Sequence, residues 1–252
     1  MLFENLTLIF ALIIVALVVY IVIEMFNDSA ESRNKFGFGF IFSSEWNPVK
    51  EEFGALPFIF GTIISSMLAL LISLPVSIGV AVFLSEIVHK SVRAPVSFMI
   101  EILAAIPSII YGFWGIYVLA PFMRQTIQPV LQSALGFLPF FKGSMYGTGL
   151  LTASIILSIM ITPIISAITR DVLKAIPVSQ KEAAYALGAT KWEAIKMALL
   201  NARSGILGGA VLGLGRAIGE TMAVTMVIGN KAQIEASLFE PAYSMASVIA
   251  NE

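Results

Sequence analysis

Apolar residues along this chain come in blocks about as long as a membrane is thick. A helix needs roughly 20 apolar residues to cross the hydrocarbon core of a bilayer. Five stretches meet that length: 6–25, 57–86, 95–120, 148–170 and 204–229. The second is long enough to demand a tilt or a bend, and Pro75 in LISLPVSIG is the natural kink. Pro107 and Pro163 do the same for the third and fourth. Proline is tolerated in a membrane helix only where neighbours satisfy the freed backbone groups, so the pattern predicts a packed bundle. The fold class that follows is an all-α polytopic membrane protein.

The polar stretches between these blocks differ in character. Residues 26–56 mix Asp28, Glu31, Glu45, Glu51 and Glu52 with FGFGFIF and EWNP, which reads as an ordered cap. The connection 121–147 has room for a short surface helix. The longest polar stretch, 171–203, carries a helix–turn–helix pattern. Ser179 with Glu182 three residues on reads as a capping box for a helix over 180–187, stopped by Gly188. A second amphipathic helix follows from about Thr190, with Trp192, Ile195 and Leu199 on one face. No internal repeat or low-complexity tract is visible.

Composition agrees with lipid as the solvent. Of 252 residues, 58% are hydrophobic and 12% charged, with a mean hydropathy of +0.92. Soluble domains carry about 25% charged residues. A net charge of −1 gives no basic field for nucleic acid. With no cysteine and a single histidine, His89, neither a disulfide nor a Cys/His metal site is expected. His89 itself reads as a loop residue. Residues 1–20 lack a basic leader and an A-x-A cleavage pattern, so they read as a retained helix, not a secretion signal.

Lysine and arginine set the orientation. Segments 88–94 and 170–203 hold 8 of them in 41 residues, whereas 26–56, 121–147 and 230–252 hold 6 in 81. The first group is therefore cytoplasmic, and so is the N-terminus. Five spans leave the C-terminus outside, after a tail, 231–252, without a further span.

One apolar block breaks its own rule. GLGRAIGETMA, residues 213–223, sets Arg216 and Glu220 four apart in the fifth span. On a continuous helix, Gly205, Gly209, Gly213, Arg216 and Glu220 share one face about 80° wide. Small residues at that spacing let a neighbouring helix approach closely. Arg216 is thirteenth of the 26 residues 204–229, near mid-bilayer. A charge there costs about 2.5–3.5 kcal/mol on insertion scales. Two readings stand: a self-neutralised pair that locks helix packing, or a pair lining a pathway.

Three groups of residues carry a resemblance. EAAYALG (Glu182–Gly188) is similar to the EAA loop of ABC-importer membrane subunits. Ala198 and Asn201 replace the Ile and Pro with which that pattern continues. LGLGRAIGETMAVTMVIGN resembles the fifth helix of the phosphate-uptake ABC permease of the PstC type. SSEWNPVKEEFGALPFIFGT, LPVSIGVAVFLSE and EILAAIPSIIYGFWG match the same subunit.

The resemblance implies a MetI-like permease bundle with a sixth span that lies beyond the five present. It divides the chain into an N-terminal helix with an extracytoplasmic cap (1–56), a core (57–230) and a tail (231–252). It implies an inner-membrane subunit paired with a second permease subunit, two ABC ATPase subunits and an extracytoplasmic phosphate-binding protein. Glu182, Ala183, Ala184 and Gly188 would then couple to the ATPase, and Arg216 and Glu220 would serve anion passage. The chain has no G-x-x-x-x-G-K-[ST], so ATP with its Mg²⁺ belongs on the partner and no cofactor is expected here.

Alternatives remain at this stage. The loop 171–203 also fits a plain interfacial connector. The intramembrane charges also suit a self-contained secondary transporter or channel, and physics alone does not separate phosphate from a related oxyanion. No nucleophile–base constellation speaks for an enzyme. Glu101, about 9 Å into the third span, fits a partner for a basic group or a carboxylate reaching the inner interface. Tyr111, Trp114 and Tyr117 fit an outer aromatic belt or a pathway lining. Arg124 and Lys142 are outer-surface cations.

Overall fold

The computed structural model describes residues 2–251. They fold as two compact units divided between Leu56 and Pro57.

The first unit opens with α1 (Leu2–Asp28), none of whose residues from Phe3 onward is buried. Apolar side chains exposed all round, such as Phe10, Ile14 and Val22, are what a lipid-facing helix presents. After it come α2 (Ala30–Phe36), α3 (Gly39–Phe42) and a hairpin of β1 (Trp46–Asn47) and β2 (Glu52–Phe53). Trp46 stands opposite Phe53 in the hairpin register, their rings 4.9 Å apart, and Phe36 meets Phe53 edge-on at 5.7 Å. Lys35 pairs with Glu51 and holds that carboxyl below its ordinary range. At Gly54 a Cβ would lie 2.2 Å from the Ser43 carbonyl oxygen, so only glycine lets the chain close back on itself there.

The second unit is built around α9 (Leu150–Ala175). Its Ile156, Leu157, Ile161 and Ile165 are almost wholly excluded from solvent. Around it lie α4 (Leu56–Val82), α5 (Lys90–Ala105), α6 (Ser108–Trp114), α7 (Ala120–Phe122), α8 (Gln128–Leu135), α10 (Val178–Ala186), α11 (Lys191–Ile218), α12 (Met222–Val227) and α13 (Met245–Asn251). Short π-wound segments follow α4 (Phe83–Ile87), α6 (Gly115–Leu119) and α7 (Met123–Ile127). Pro75 and Pro163 lie inside α4 and α9 without ending them. Among the described residues, four helices can cross a membrane by length and composition, or five if one bent pair counts as a span.

That bent pair is the third predicted span. It is not a continuous helix over 95–120. Ile106 and Pro107 turn extended, and the halves meet at 91°. Proline drives its predecessor out of the helical region, which is the physical cause. The second half runs on through α8 to Leu135.

The fifth span also needs correction. The helix over 204–229 begins at Lys191, continuous with the second helix of the 171–203 loop, and stops at Ile218. After Gly219, Glu220 and Thr221 the short α12 resumes.

Residues 228–247 fold back onto the bundle. Leu150 and Leu151 donate backbone hydrogen bonds to the Glu240 and Leu238 carbonyls (3.2 and 2.9 Å), and the Phe239 side chain is wholly buried. Met245 N–H donates to Thr62 Oγ1 of α4 at 2.9 Å. At Gly61 a Cβ would sit 2.1 Å from the Tyr243 carbonyl oxygen, a backbone atom that no rotamer change removes. Gly61→Ala is expected to lower stability by about 1–3 kcal/mol. Gly79→Ala on the same helix, where a Cβ meets nothing within 4 Å, is expected to gain up to about 1 kcal/mol. Thermal unfolding of the two variants in detergent checks the contrast; equal midpoints would sink it.

Candidate functional site

The glycines of α11 sort into two faces. Gly205, Gly209 and Gly213 lie against α9, where an added Cβ would come within 2.5 Å of Val172, 3.1 Å of Ile168 and 2.8 Å of Ile165. The descending numbers show the two helices running antiparallel. Gly208 and Gly215 have nothing within 4 Å of such a Cβ, and with Leu207, Val211 and Leu212 they form an exposed face.

Gly213 packs on Ile165 with Ile161 close by, the sixteenth and twelfth of α9's 26 residues. Arg216 is one turn further, so it stands near the mid-height of α9. The helix ends two residues later. Its charge lies in the last turn, where the free carbonyls favour a cation. The side chain is exposed, and among the described residues it has no ion pair or hydrogen bond. Tyr111 lies within its electrostatic reach.

Glu220 sits on the other side of the break. It is buried, and its Oε1 accepts the Ala223 backbone N–H at 3.3 Å, capping the start of α12. The i,i+4 pair between Arg216 and Glu220, one of the two readings, is therefore absent among the described residues, and Glu220 lies beyond the end of the helix that carries the glycine face. The reason is geometric: the wheel assumed a helix through residue 220, and the helix stops at Ile218. Each charge is met by a helix end instead of by the other charge.

The second helix break lies beside the first. Gly112 of α6 packs against Ala223 and Met226 of α12. Tyr111 leaves the predicted aromatic belt: it is buried, and its hydroxyl donates to the Leu103 carbonyl across the Ile106–Pro107 break at 2.8 Å. That bond satisfies a carbonyl that Pro107 leaves without a helical donor. Trp114 and Tyr117 are exposed. Two interrupted helices thus meet next to one unpaired guanidinium.

At the opposite end, α10 and the start of α11 form the helix–turn–helix. The capping box falls at Thr190–Glu193, not Ser179–Glu182: Thr190 Oγ1 accepts from Glu193 N–H while Glu193 accepts from Thr190 N–H. Pro177 is the N-cap of α10, so Ser179 already lies inside the helix. Gly188 takes φ +84°, the left-handed conformation that ends α10. Trp192 is 67% exposed, and the buried face of α11 here is Ala194, Ile195 and Ala198. No residue of α10 is buried; Glu182 and Ala183 are exposed and Ala184 half-buried.

Glu101 finds the basic partner that one of its two readings foresaw, and His89 does more than its sequence context indicated. Glu101 pairs with Arg170 at 3.4 Å, and Arg170 also reaches Asp171 at 3.2 Å. His89 caps α5, its Nδ1 accepting from Ser91 N–H at 3.4 Å. An H-x-S sequence directly ahead of a helix was the available signal.

Residues 73–249 match the family described as binding-protein-dependent transport system inner membrane component. The chain belongs to this family. It is a membrane component of an ABC transport system, and the family's members are transport subunits. Relatives support this along the whole chain. It is 47% identical to the phosphate transport system permease protein PstC of Mesorhizobium japonicum, covering 96% of this chain and 76% of that protein. With the protein of that name from Haemophilus influenzae it shares 47% identity, covering 100% of this chain and 81% of that one. A probable phosphate transport system permease protein PstC of Methanocaldococcus jannaschii is 36% identical over 99% of this chain.

Proposed function

We propose that the chain is the transmembrane subunit of an ATP-driven importer that moves inorganic phosphate across the inner membrane. The observation that carries this reading is Arg216: an unpaired guanidinium near mid-bundle, at a helix break, in a chain of this family. The cost of a charge at that depth is about 2.5–3.5 kcal/mol or more. A helix C-terminus returns about 0.3–1 kcal/mol, at most about 2. The remainder is offset when an anion or water meets the guanidinium, and phosphate suits its fork of donors.

In this reading residues 57–230 are the permease core, 171–203 its cytoplasmic coupling loop, and the N-terminus is cytoplasmic. The cap within 1–56 and the tail 231–252 face outward, where the phosphate-binding protein delivers its cargo. A second permease subunit covers the Gly208–Gly215 face of α11. Two ATPase subunits bind ATP with Mg²⁺ and engage Glu182, Ala183, Ala184 and Gly188. Phosphate selectivity resides largely in the binding protein, while Arg216 lowers the barrier inside the membrane.

Reconstitution tests this. Vesicles holding the chain, a second permease subunit, the ATPase pair and the binding protein are expected to accumulate labelled phosphate only with ATP. Uptake without ATP, or preference for another oxyanion, would overturn the proposal.

A further inference from the structure

The helix α10 is a lever with few attachments. No residue of it is buried, and its flanks are Pro177 and the left-handed Gly188. Two side-chain ties among the described residues fasten it to the bundle. Gln180 accepts from Asn201 of α11 at 2.9 Å. Lys181 Nζ meets Glu86 Oε1 at 2.6 Å, with the two side chains 22% and 15% exposed.

Glu86 belongs to the π-wound turn Phe83–Ile87 at the cytoplasmic end of α4, closed by the Val88 N–H donating to the Phe83 carbonyl at 2.9 Å. The same turn is held from α5, where Arg93 donates to the Ser85 carbonyl at 2.7 Å. Leu84 anchors it inward, almost completely buried. A π turn inside a helix is locally wider than the α-helix around it and often marks functional sites. Beside this turn a pocket of about 460 Å³ opens between α4, at Ile72, Val76 and Val80, Ile100 and Leu103 of α5, and Ile159 of α9. The end of α4 beside this pocket is thus tied to α10 through the Lys181–Glu86 pair as well as to α5 through Arg93.

We infer that Lys181 and Glu86 are positioning residues, forming the strap through which α10 moves the cytoplasmic end of α4 during the transport cycle. This rests on the ATP-driven reading above. Lys181 points toward the bundle and Glu182 away from it, so adjacent residues serve opposite faces of the lever: Glu182 meets the partner and Lys181 passes the motion inward. The ion pair is half-shielded from water, which makes it stiffer than an exposed pair of the same geometry.

The test reads coupling, the phosphate imported per ATP hydrolysed, in the reconstituted complex. Lys181→Ala and Glu86→Gln are each expected to lower that ratio about tenfold, the scale of a typical coupling free energy. The reversed pair, Lys181→Glu with Glu86→Lys, is expected to recover most of it. A purely structural pair would change assembly and leave the ratio in the assembled complex untouched. That outcome, or a reversed pair no better than the singles, overturns the strap.

The chain has no native cysteine, which permits a second arm independent of folding. Lys181→Cys with Glu86→Cys is purified in a complex otherwise free of cysteine and then bridged by a short reducible thiol cross-linker. Coupling is expected in the bridged form and loss of it on reduction. Arrest by the bridge, or full coupling in the reduced form, overturns the proposal. If the unsubstituted complex shows no ATP-driven uptake, the functional reading itself falls and the strap with it.

Discussion

Replacing Arg216 by glutamate is expected to abolish ATP-driven phosphate uptake while the complex still assembles. The side chain is exposed on its own subunit and makes no ion pair or hydrogen bond among the described residues, so no internal contact is lost. What changes is the sign of the charge that an anion would meet on the proposed pathway. Two unit charges 4 Å apart interact by about 4 kcal/mol at an effective dielectric near 20. Turning that attraction into repulsion raises the barrier by more than a factor of about a thousand. Glutamate in the last turn of α11 also opposes the helix dipole, a loss of about 0.3–1 kcal/mol that leaves the fold standing. Phosphate uptake, with pull-down of the partner subunits as the assembly control, reads the result. Normal uptake would remove Arg216 from the pathway. Arg216→Lys keeps the charge but loses the bidentate fork, so partial activity separates charge from geometry.

Much of this arrangement was legible in hydropathy, because lipid imposes a length on every span and forbids unpaired backbone. The runs over 57–86 and 148–170 became α4 with its π turn and α9, with ends close to those predicted. The breaks were harder to see. Pro107 was read as a kink, yet the residue before a proline is pushed to extended backbone, and two extended residues in a row turn a kink into a 91° corner. The break after Ile218 has no proline at all. Gly219 and the capping capacity of Glu220 were its signals, and both are equally compatible with a packed helix. A wheel drawn through residue 220 therefore put two charges on one face that the fold separates across a helix end. The two capping boxes show the same limit. Ser179–Glu182 and Thr190–Glu193 fit the pattern equally well, and the position of Pro177, which starts α10 two residues too early for Ser179 to be its N-cap, decides against the first.

The second large effect is expected at Glu182. Its side chain is exposed, makes no ion pair or hydrogen bond among the described residues, and belongs to a helix with no buried residue. Charge reversal at such a position changes the stability of the subunit by no more than about 0.5 kcal/mol. Any larger consequence arises at an interface this chain forms with another. The exposed side chains around Glu182 are Val178, Tyr185 and Leu187, the last 90% exposed. Apolar surface of this kind surrounding one acid on a short protruding helix is what a partner's cleft would cover. If the acid meets a basic group or backbone donors there, Glu182→Lys leaves two like charges or orphaned donors in a desolvated seam, at about 2–5 kcal/mol. ATP hydrolysis is then expected to run without phosphate uptake, or the ATPase to dissociate during purification. Glu182→Gln retains the acceptor oxygen and loses only the charge, so it is expected to fall between the two. This pattern differs from that of the Lys181 and Glu86 variants, in which the ATPase stays bound and only the yield of transport per ATP declines. An unchanged ATPase affinity and an unchanged transport ratio in Glu182→Lys would show that α10 docks by another face, because no described residue of this subunit holds that carboxylate.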